Sequence, residues 1–473
     1  MIRFATSGWR GIVGQDFTFR NVRLVLDAAV AALRGRGGCR RAVVSYDTRL
    51  LSEKLAREAI NVFTHHGIEA VLSDRDLPTP GLAHATREQG ADLGVMFTGS
   101  HNGPEYNGVK LYTGDGAPAQ RDLLGAIEAE SDRRDAEFDD FFVPQRQLGA
   151  RAGLGDGYLA LLARAVDWDA VRASGLVVAV DPLFGTAREF LDRVLLANGI
   201  TCHVVHSTKD PYFGGYAPEC TPSNLARLRE LVRETGAGLG LATDGDADRF
   251  GIIDAACRPV PPNLAIALVI DYLVRRRGLR AGIGRTIATT RMVDRIAAAA
   301  GCEVMETPVG FYHFAPHLLS GRLAVAAEES AGLGLGAHLP ERDGILAALL
   351  VAEMLAVERR TLDELARDLY ARCGELVSRR VEAPLSERAL AALAALAERS
   401  FTELAGCAVV REDHADGLLL ELAGGGWVLL RAARTEPKLR VYAEATSSRQ
   451  LRDLVRAARR LINELEEERH VRD

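Results

Sequence analysis

Ala42-Val43-Val44-Ser45-Tyr46-Asp47-Thr48-Arg49 is an apolar run of the length of one buried strand, closed by polar residues. Its neighbours on both sides read as helices. Upstream, Val22, Val25, Leu26, Val30 and Leu33 recur at helical spacing behind Thr18, whose hydroxyl suits an N-cap. Downstream, a second helix runs from Ser52 to His66 and stops at Gly67. Such alternation predicts α/β layers on a largely parallel sheet.

The pattern returns along the chain. Leu176 to Val180 is a short apolar strand closed by Asp181-Pro182-Leu183-Phe184-Gly185, and Thr286 to Thr290 reads as a third, followed by a helix through Val293 and Ile296. The likeness of residues 43–49 to 177–186 points to one α/β unit repeated. Linkers are expected near 139–154, around 258–262 with its three prolines, and near 377–384. Beyond the last, a helix over 388–402 and strands at 418–422 and 428–430 describe a smaller α+β domain. A chain of 473 residues exceeds one core. The expected domains are 1–145, 152–256, 257–375 and 380–473.

Composition narrows the class of function. A formal net charge of −6 gives no general attraction to nucleic acid or anionic membrane. The seven cysteines show no CxxC and no pairing rhythm, which fits reduced thiols in a cytoplasmic protein. Residues 345–357 form the most apolar stretch and are too few to span a bilayer. No signal peptide is read at the start, where Thr6-Ser7-Gly8-Trp9-Arg10-Gly11 already sets an arginine between glycines.

Four further motifs follow apolar strands. Phe97-Thr98-Gly99-Ser100-His101-Asn102-Gly103-Pro104-Glu105-Tyr106-Asn107-Gly108-Val109-Lys110 puts Ser100 just past a strand's C-terminal end, the ligand edge of open α/β sheets. Ser100 there can accept a phosphoryl group with Lys110 as base; the plainer reading is a polar turn. Thr243-Asp244-Gly245-Asp246-Ala247-Asp248-Arg249 offers three carboxylates at spacing two, a donor set for one hard cation such as Mg²⁺. Its plainer reading is a solvated acidic turn or a calcium loop. Ala327-Glu328-Glu329-Ser330-Ala331-Gly332 places Glu328 and Ser330 on one side of an extended backbone, where they can bind sugar hydroxyls, or marks a helix N-terminus. Arg431-Ala432-Ala433-Arg434-Thr435-Glu436-Pro437 can cradle phosphate with two guanidinium forks, or be a surface turn paired with Glu436.

In this order the five motifs resemble the α-D-phosphohexomutase superfamily, in particular its phosphoglucomutase/phosphomannomutase branch. Tyr212-Phe213-Gly214-Gly215, Thr307-Pro308-Val309-Gly310-Phe311 and Asp343-Gly344 add to the likeness, which spans essentially the whole chain. The resemblance implies three similar mixed-sheet α/β domains and a smaller, mobile C-terminal α+β domain around a central cleft. It implies a cytoplasmic isomerase that interconverts hexose 1-phosphate and hexose 6-phosphate through a phosphorylated Ser100 and a hexose 1,6-bisphosphate. Ser100, Asp244, Asp246 and Asp248 then ligate Mg²⁺. Arg10, His101, Lys110 and Arg249 line the transfer site, Lys110 shedding its proton readily among the cations. Glu328 and Ser330 hold sugar hydroxyls, and Arg431, Arg434 and Thr435 grip the remote phosphate. A small-molecule hexose phosphate is the expected partner, with no nucleic acid and no membrane, and the chain is expected to be a monomer or weak homodimer.

Several residues depart from the family pattern. Glycines at 99 and 103 replace alanine and proline, predicting a more flexible serine loop. Ala433 and Arg434 replace serine and glycine, Ala327 and Ala331 replace glycines, and Tyr312 stands where many relatives carry lysine. The competing functions are a phosphoglucosamine mutase, a non-catalytic sugar-phosphate-binding homologue, and a magnesium phosphomonoesterase.

Overall fold

The protein is described by a computed structural model covering residues 2–138, 150–396, 398–433, 436 and 438–470, with side chains of the last helix described to 463. In the first unit, strands Trp9–Ile12, Tyr106–Thr113, Leu93–Phe97, Arg41–Tyr46, Glu69–Ser73 and Ala150–Ala152 lie side by side in that order. Arg41–Tyr46 runs parallel to both of its neighbours, and Tyr106–Thr113 returns antiparallel to Leu93–Phe97. Helix Phe19–Arg34 is capped as expected, the Thr18 hydroxyl accepting from the Asn21 amide at 3.1 Å.

The second and third units repeat the centre of this sheet. Phe250–Asp254, Leu239–Thr243, Val178–Asp181 and Cys202–Val204 are adjacent in that order, as are Gly332–Leu335, Leu323–Glu328, Gly282–Thr286 and Val304–Thr307. In each set a hairpin supplies the antiparallel edge and the other strands are parallel. The turn of that hairpin carries Ser100 in the first unit, Asp244–Asp248 in the second and Glu329–Ser330 in the third. Three different motifs therefore occupy one topological position.

The C-terminal unit is a six-stranded antiparallel sheet: Val377–Pro384, Lys438–Ala445, Trp427–Ala432, Leu418–Leu422, Cys407–Asp413 and Glu403–Leu404, backed by helices Glu387–Leu396 and Ser448–His470.

Three local expectations change. The presumed linker at 377–384 is an edge strand, paired over its whole length with Lys438–Ala445. Its charges and terminal proline, which read as a linker, are what an edge strand tolerates. The strand expected at 286–290 ends at Thr286, where the Thr286 and Thr289 hydroxyls lie 2.9 Å apart across a turn. The helix expected to reach 402 ends at Leu396, and the Phe401 amide instead donates to Glu412 at 3.1 Å.

One apolar core runs through the first three units, joining Met96 and Tyr112 to Val178, Leu239, Ile283 and Val325 around helix Gly344–Glu358. That helix is apolar on all sides because it is surrounded by protein. The C-terminal unit has its own core and touches the third unit through Ile287, Ala288, Leu419, Trp427, Leu429 and Tyr442. Among the described residues no helix is long and apolar enough to cross a membrane.

Candidate active site

Ser100 follows strand Leu93–Phe97 with φ +50°, a left-handed conformation that costs a non-glycine residue energy. Two contacts hold it there. The Thr98 hydroxyl accepts from the Ser100 amide at 2.7 Å, and Arg49 grips the loop from beneath. The Arg49 guanidinium donates to the carbonyls of Ser100 at 2.5 Å, Asn102 at 2.6 Å, Gly103 at 2.5 Å and Tyr106 at 3.1 Å, and to Asp47 at 3.0 Å. These bonds tie together the loop in which Gly99 and Gly103 suggested looseness. A Cβ on Gly99 would meet the guanidinium at 2.8 Å, so the glycine makes room for the clamp.

The Ser100 hydroxyl, fully buried, donates to Asp244 Oδ2 at 3.0 Å across the boundary between the first two units. Gly245 permits this approach, since a Cβ there would stand 2.8 Å from the Ser100 carbonyl oxygen. Thr79 fixes the aspartate loop from the other side, its hydroxyl donating to Asp246 at 2.7 Å and its amide to the Asp246 carbonyl at 2.9 Å. Lys110 donates to Asp246 at 2.6 Å and Asp248 at 2.7 Å. Arg342 donates to Asp248 at 2.7 Å and Glu328 at 2.8 Å, tying the aspartate loop to the sugar-loop residue.

The three aspartates are fully buried, with one carboxylate oxygen of each within 4.8 Å of the others. The Oδ1 atoms of Asp246 and Asp248 are buried with no hydrogen-bond partner among the described residues. Buried carboxylate oxygens are ordinarily paired, so this oxygen-only cluster fits a hard divalent cation. Burial, and then Asp246 and Asp248, push the Asp244 carboxyl well above its ordinary range. Burial acts the same way on the other two and is their largest single influence, but Lys110, Thr79 and Arg10 together outweigh it at Asp246, and Arg342, Lys110 and Arg249 together at Asp248, so both lie below theirs.

Lys110 differs from expectation. Burial alone would lower its pKa, yet Asp246 and Asp248 more than offset this and raise it, because its nearest neighbours are anions rather than the cations of the cleft. His101 is neutral, its pKa held well below 6.5 by burial and by Arg249 and Arg10. Its ring lies 3.5 Å from Ser100 Oγ. Arg10 donates to Asn102 at 2.6 Å and Ser7 at 3.0 Å, and burial followed by the Arg249 charge lowers its pKa to about 10. The Arg249 amide donates to Asp244 at 3.1 Å, while its side-chain Nε is buried without a hydrogen-bond partner.

Glu328 ends its strand, and Ser330 sits in the hairpin turn rather than on extended backbone; Ala331 follows at φ +64°, a conformation in which glycine is at ease. Both line an inner cavity of about 50 Å³ with His101, Arg249, Arg342 and Arg431. Buried Arg431 donates to Asp416 at 2.9 Å, and its Nη2 has no hydrogen-bond partner among the described residues. Arg434 and Thr435 lie outside the described residues. Tyr312 lines a pocket of about 20 Å³ with Ser7, Lys110 and Arg342.

Arg49, Thr79 and Arg342 escaped the sequence reading. For Arg49 the available signal was a charged residue directly after an apolar strand; Thr79 and Arg342 gave none that composition or spacing could separate from an ordinary loop.

Comparison with known families matches the descriptions of phosphoglucomutase/phosphomannomutase alpha/beta/alpha domain I over residues 1–138, domain II over 156–256, domain III over 261–373 and the C-terminal domain over 376–461. The chain belongs to the phosphoglucomutase/phosphomannomutase family.

Within this family the chain is 30% identical to the phosphoglucomutase/phosphomannomutase of Thermococcus kodakarensis, over 98% of both chains. It is 31% identical to the phosphoglucosamine mutase of Salinispora arenicola, over 94% of both. A solved structure of a protein provisionally named phosphomannomutase, from Thermus thermophilus, superposes with a TM-score of 0.85 at 30% identity, covering 98% of this chain and 99% of that one. The loops that meet at Ser100 and Asp244 belong to the stretches matched as domain I and domain II.

Proposed function

We propose that the chain is a phosphohexomutase that interconverts hexose 1-phosphate and hexose 6-phosphate, with glucose or mannose as the sugar, through Ser100 and a hexose 1,6-bisphosphate. The observation that carries this reading is the buried contact between Ser100 Oγ and the aspartate cluster, beside a cavity that His101, the residue after Ser100, lines together with Arg431 of the C-terminal unit. The working units are 1–145, 152–256, 257–375 and 380–473, with strand Ala150–Ala152 joined to the first and the whole of strand Val377–Pro384 to the fourth.

In the forward half-reaction the bond from phosphorus to Ser100 Oγ breaks as a bond to the sugar hydroxyl oxygen forms, and the hydroxyl proton passes to Lys110 once that residue has released its own proton to solvent. In the second half the bisphosphate, turned end over end, returns its other phosphoryl group to Ser100, and Lys110 gives the proton back. Lys110 is thus base in one direction and acid in the other, and its two carboxylates favour the acid form. Arg10 and Arg249 bring positive charge to the transfer site. Ser100, Asp244, Asp246 and Asp248 would hold Mg²⁺, which supplies stabilisation of charge on the transferring group. Glu328 and Ser330 hold sugar hydroxyls, and Arg431, with Arg434 and Thr435, grips the phosphate that is not reacting.

The same reading places the chain in the cytoplasm, as a monomer or weak homodimer acting on small molecules, supported by seven free cysteines and the absence of positive net charge. Likeness to a phosphoglucosamine mutase favours that activity as the second reading. A coupled assay with glucose 1-phosphate, mannose 1-phosphate and glucosamine 1-phosphate decides between them. Turnover of the first two is expected to dominate; clear preference for the amino sugar moves the assignment.

A further inference from the structure

Arg380 lies on the edge strand Val377–Pro384 of the C-terminal unit and reaches into both neighbouring units. Its Nη2 donates to Glu219 of the second unit at 3.1 Å and its Nη1 to Glu329 of the third at 3.4 Å, while Nε stands 3.4 Å from Glu382 on its own strand. Neither partner is remote from the chemistry. Glu329 stands between Glu328 and Ser330 in the sugar-loop turn. Glu219 follows Pro218, whose carbonyl accepts from the Gly245 amide of the aspartate loop at 3.1 Å.

The cavities show what these bonds close. Arg380 lines both the inner cavity of about 50 Å³ and an adjoining one of about 360 Å³. Glu219 lines that second cavity and an outer one of about 660 Å³, which His101 and the rest of the serine loop border. The inner space has room for a few water molecules, less than a hexose phosphate needs. For a sugar to pass between Arg431 and Ser100, the C-terminal unit has to lift, and Arg380 has to leave Glu219. Long, partly exposed ion pairs of this kind are individually weak, so they can break and reform during turnover.

We propose that Arg380 is a positioning residue that latches the C-terminal unit over the cleft, holds the Glu329–Ser330 turn in place, and, by re-forming after each opening, limits escape of the bisphosphate between the two half-reactions. This rests on the mutase reading above. Losing the latch lets the cleft stay open between the two half-reactions, so the intermediate escapes and Ser100 is left without its phosphate.

Arg380→Ala, Arg380→Lys and Glu219→Gln separate this role from a merely structural one. Steady-state turnover is measured with and without added glucose 1,6-bisphosphate, and small-angle X-ray scattering is recorded without ligand. Arg380→Ala is expected to raise both KM and the bisphosphate concentration needed for half-maximal rate by roughly tenfold, with kcat at saturating bisphosphate changed by less than about threefold. Glu219→Gln should move the same two quantities in the same direction, Arg380→Lys should restore part of the loss, and the radius of gyration of Arg380→Ala should exceed that of the wild type. An unchanged bisphosphate requirement in folded Arg380→Ala overturns the latch. A wild type that isomerises no hexose phosphate overturns the mutase reading instead, and then superimposable scattering curves for wild type and Arg380→Ala overturn the latch independently.

Discussion

Around Ser100 the first two units share a continuous core and interlocked loops, whereas the C-terminal unit, which brings Arg431, has its own core and meets the third unit through a small apolar patch and ion pairs. The contrast extends to single side chains. Arg49, Lys110 and Arg342 are buried and spend their donors on fixed partners, while Arg380 is partly exposed and bound at longer range. Phosphoryl transfer rewards placement of reacting atoms to a fraction of an ångström. Turning a bisphosphate end over end requires the opposite: a grip that lets go. One pole of the cleft is built to stay and the other to move.

Ser100→Ala tests the fixed pole most severely. It should lower the mutase rate by on the order of a thousandfold or more, because no other group replaces the covalent acceptor, with little change in melting temperature. Residual activity near wild type in a coupled assay would falsify the phosphoserine route.

A pair of arginine variants then compares the poles directly. Arg49→Lys cannot reproduce a five-bond fork, so the serine loop shifts; kcat should drop roughly 10- to 100-fold with KM little changed. Arg431→Ala should do the reverse, raising KM roughly tenfold or more through loss of a charge-assisted contact, with the smaller effect on kcat. Identical KM and kcat patterns in the two variants would erase the distinction drawn here.

The smallest effect concerns stability. The Asp244 carboxyl is raised in the folded state by burial and by Asp246 and Asp248. The folded protein therefore keeps that proton longer than the unfolded chain, and this site loses stability as pH rises from the unfolded value near ~3.9 toward the folded one. Asp244→Asn removes the loss. In metal-free buffer at neutral pH the variant should melt a few degrees above wild type, and Mg²⁺ should raise the melting temperature of the wild type only. Equal Mg²⁺-induced shifts in calorimetry would show that the aspartates are not the metal ligands.

Legibility in the sequence followed locality. Ser100, Asp244, Asp246, Asp248 and Glu328 stood out because each lies at the end of an apolar strand, and a strand with its turn is a pattern within a dozen residues. The edge strand Val377–Pro384 was hidden by its exposure: with no buried face to enforce alternation, it read as a linker and Arg380 went unnoticed. Arg342 was invisible for another reason, since its partners Asp248 and Glu328 come from two different units. The two glycines of the serine loop suggested mobility, whereas Arg49, 51 positions from Ser100, fills the space beside Gly99 and the Glu105 carboxylate fills that beside Gly103.

By itself the sequence determined the α/β alternation, the motif order and the chemical type of each loop, because hydrophobic periodicity and turn residues act between near neighbours. Only the tertiary structure decided which charges face one another: Lys110 beside Asp246 at a separation of 136 residues, Arg49 under Ser100, Arg380 between two glutamates. The physical reason is that a charge takes its partner, and with it its protonation and its role, from proximity in space, which no spacing along the chain specifies.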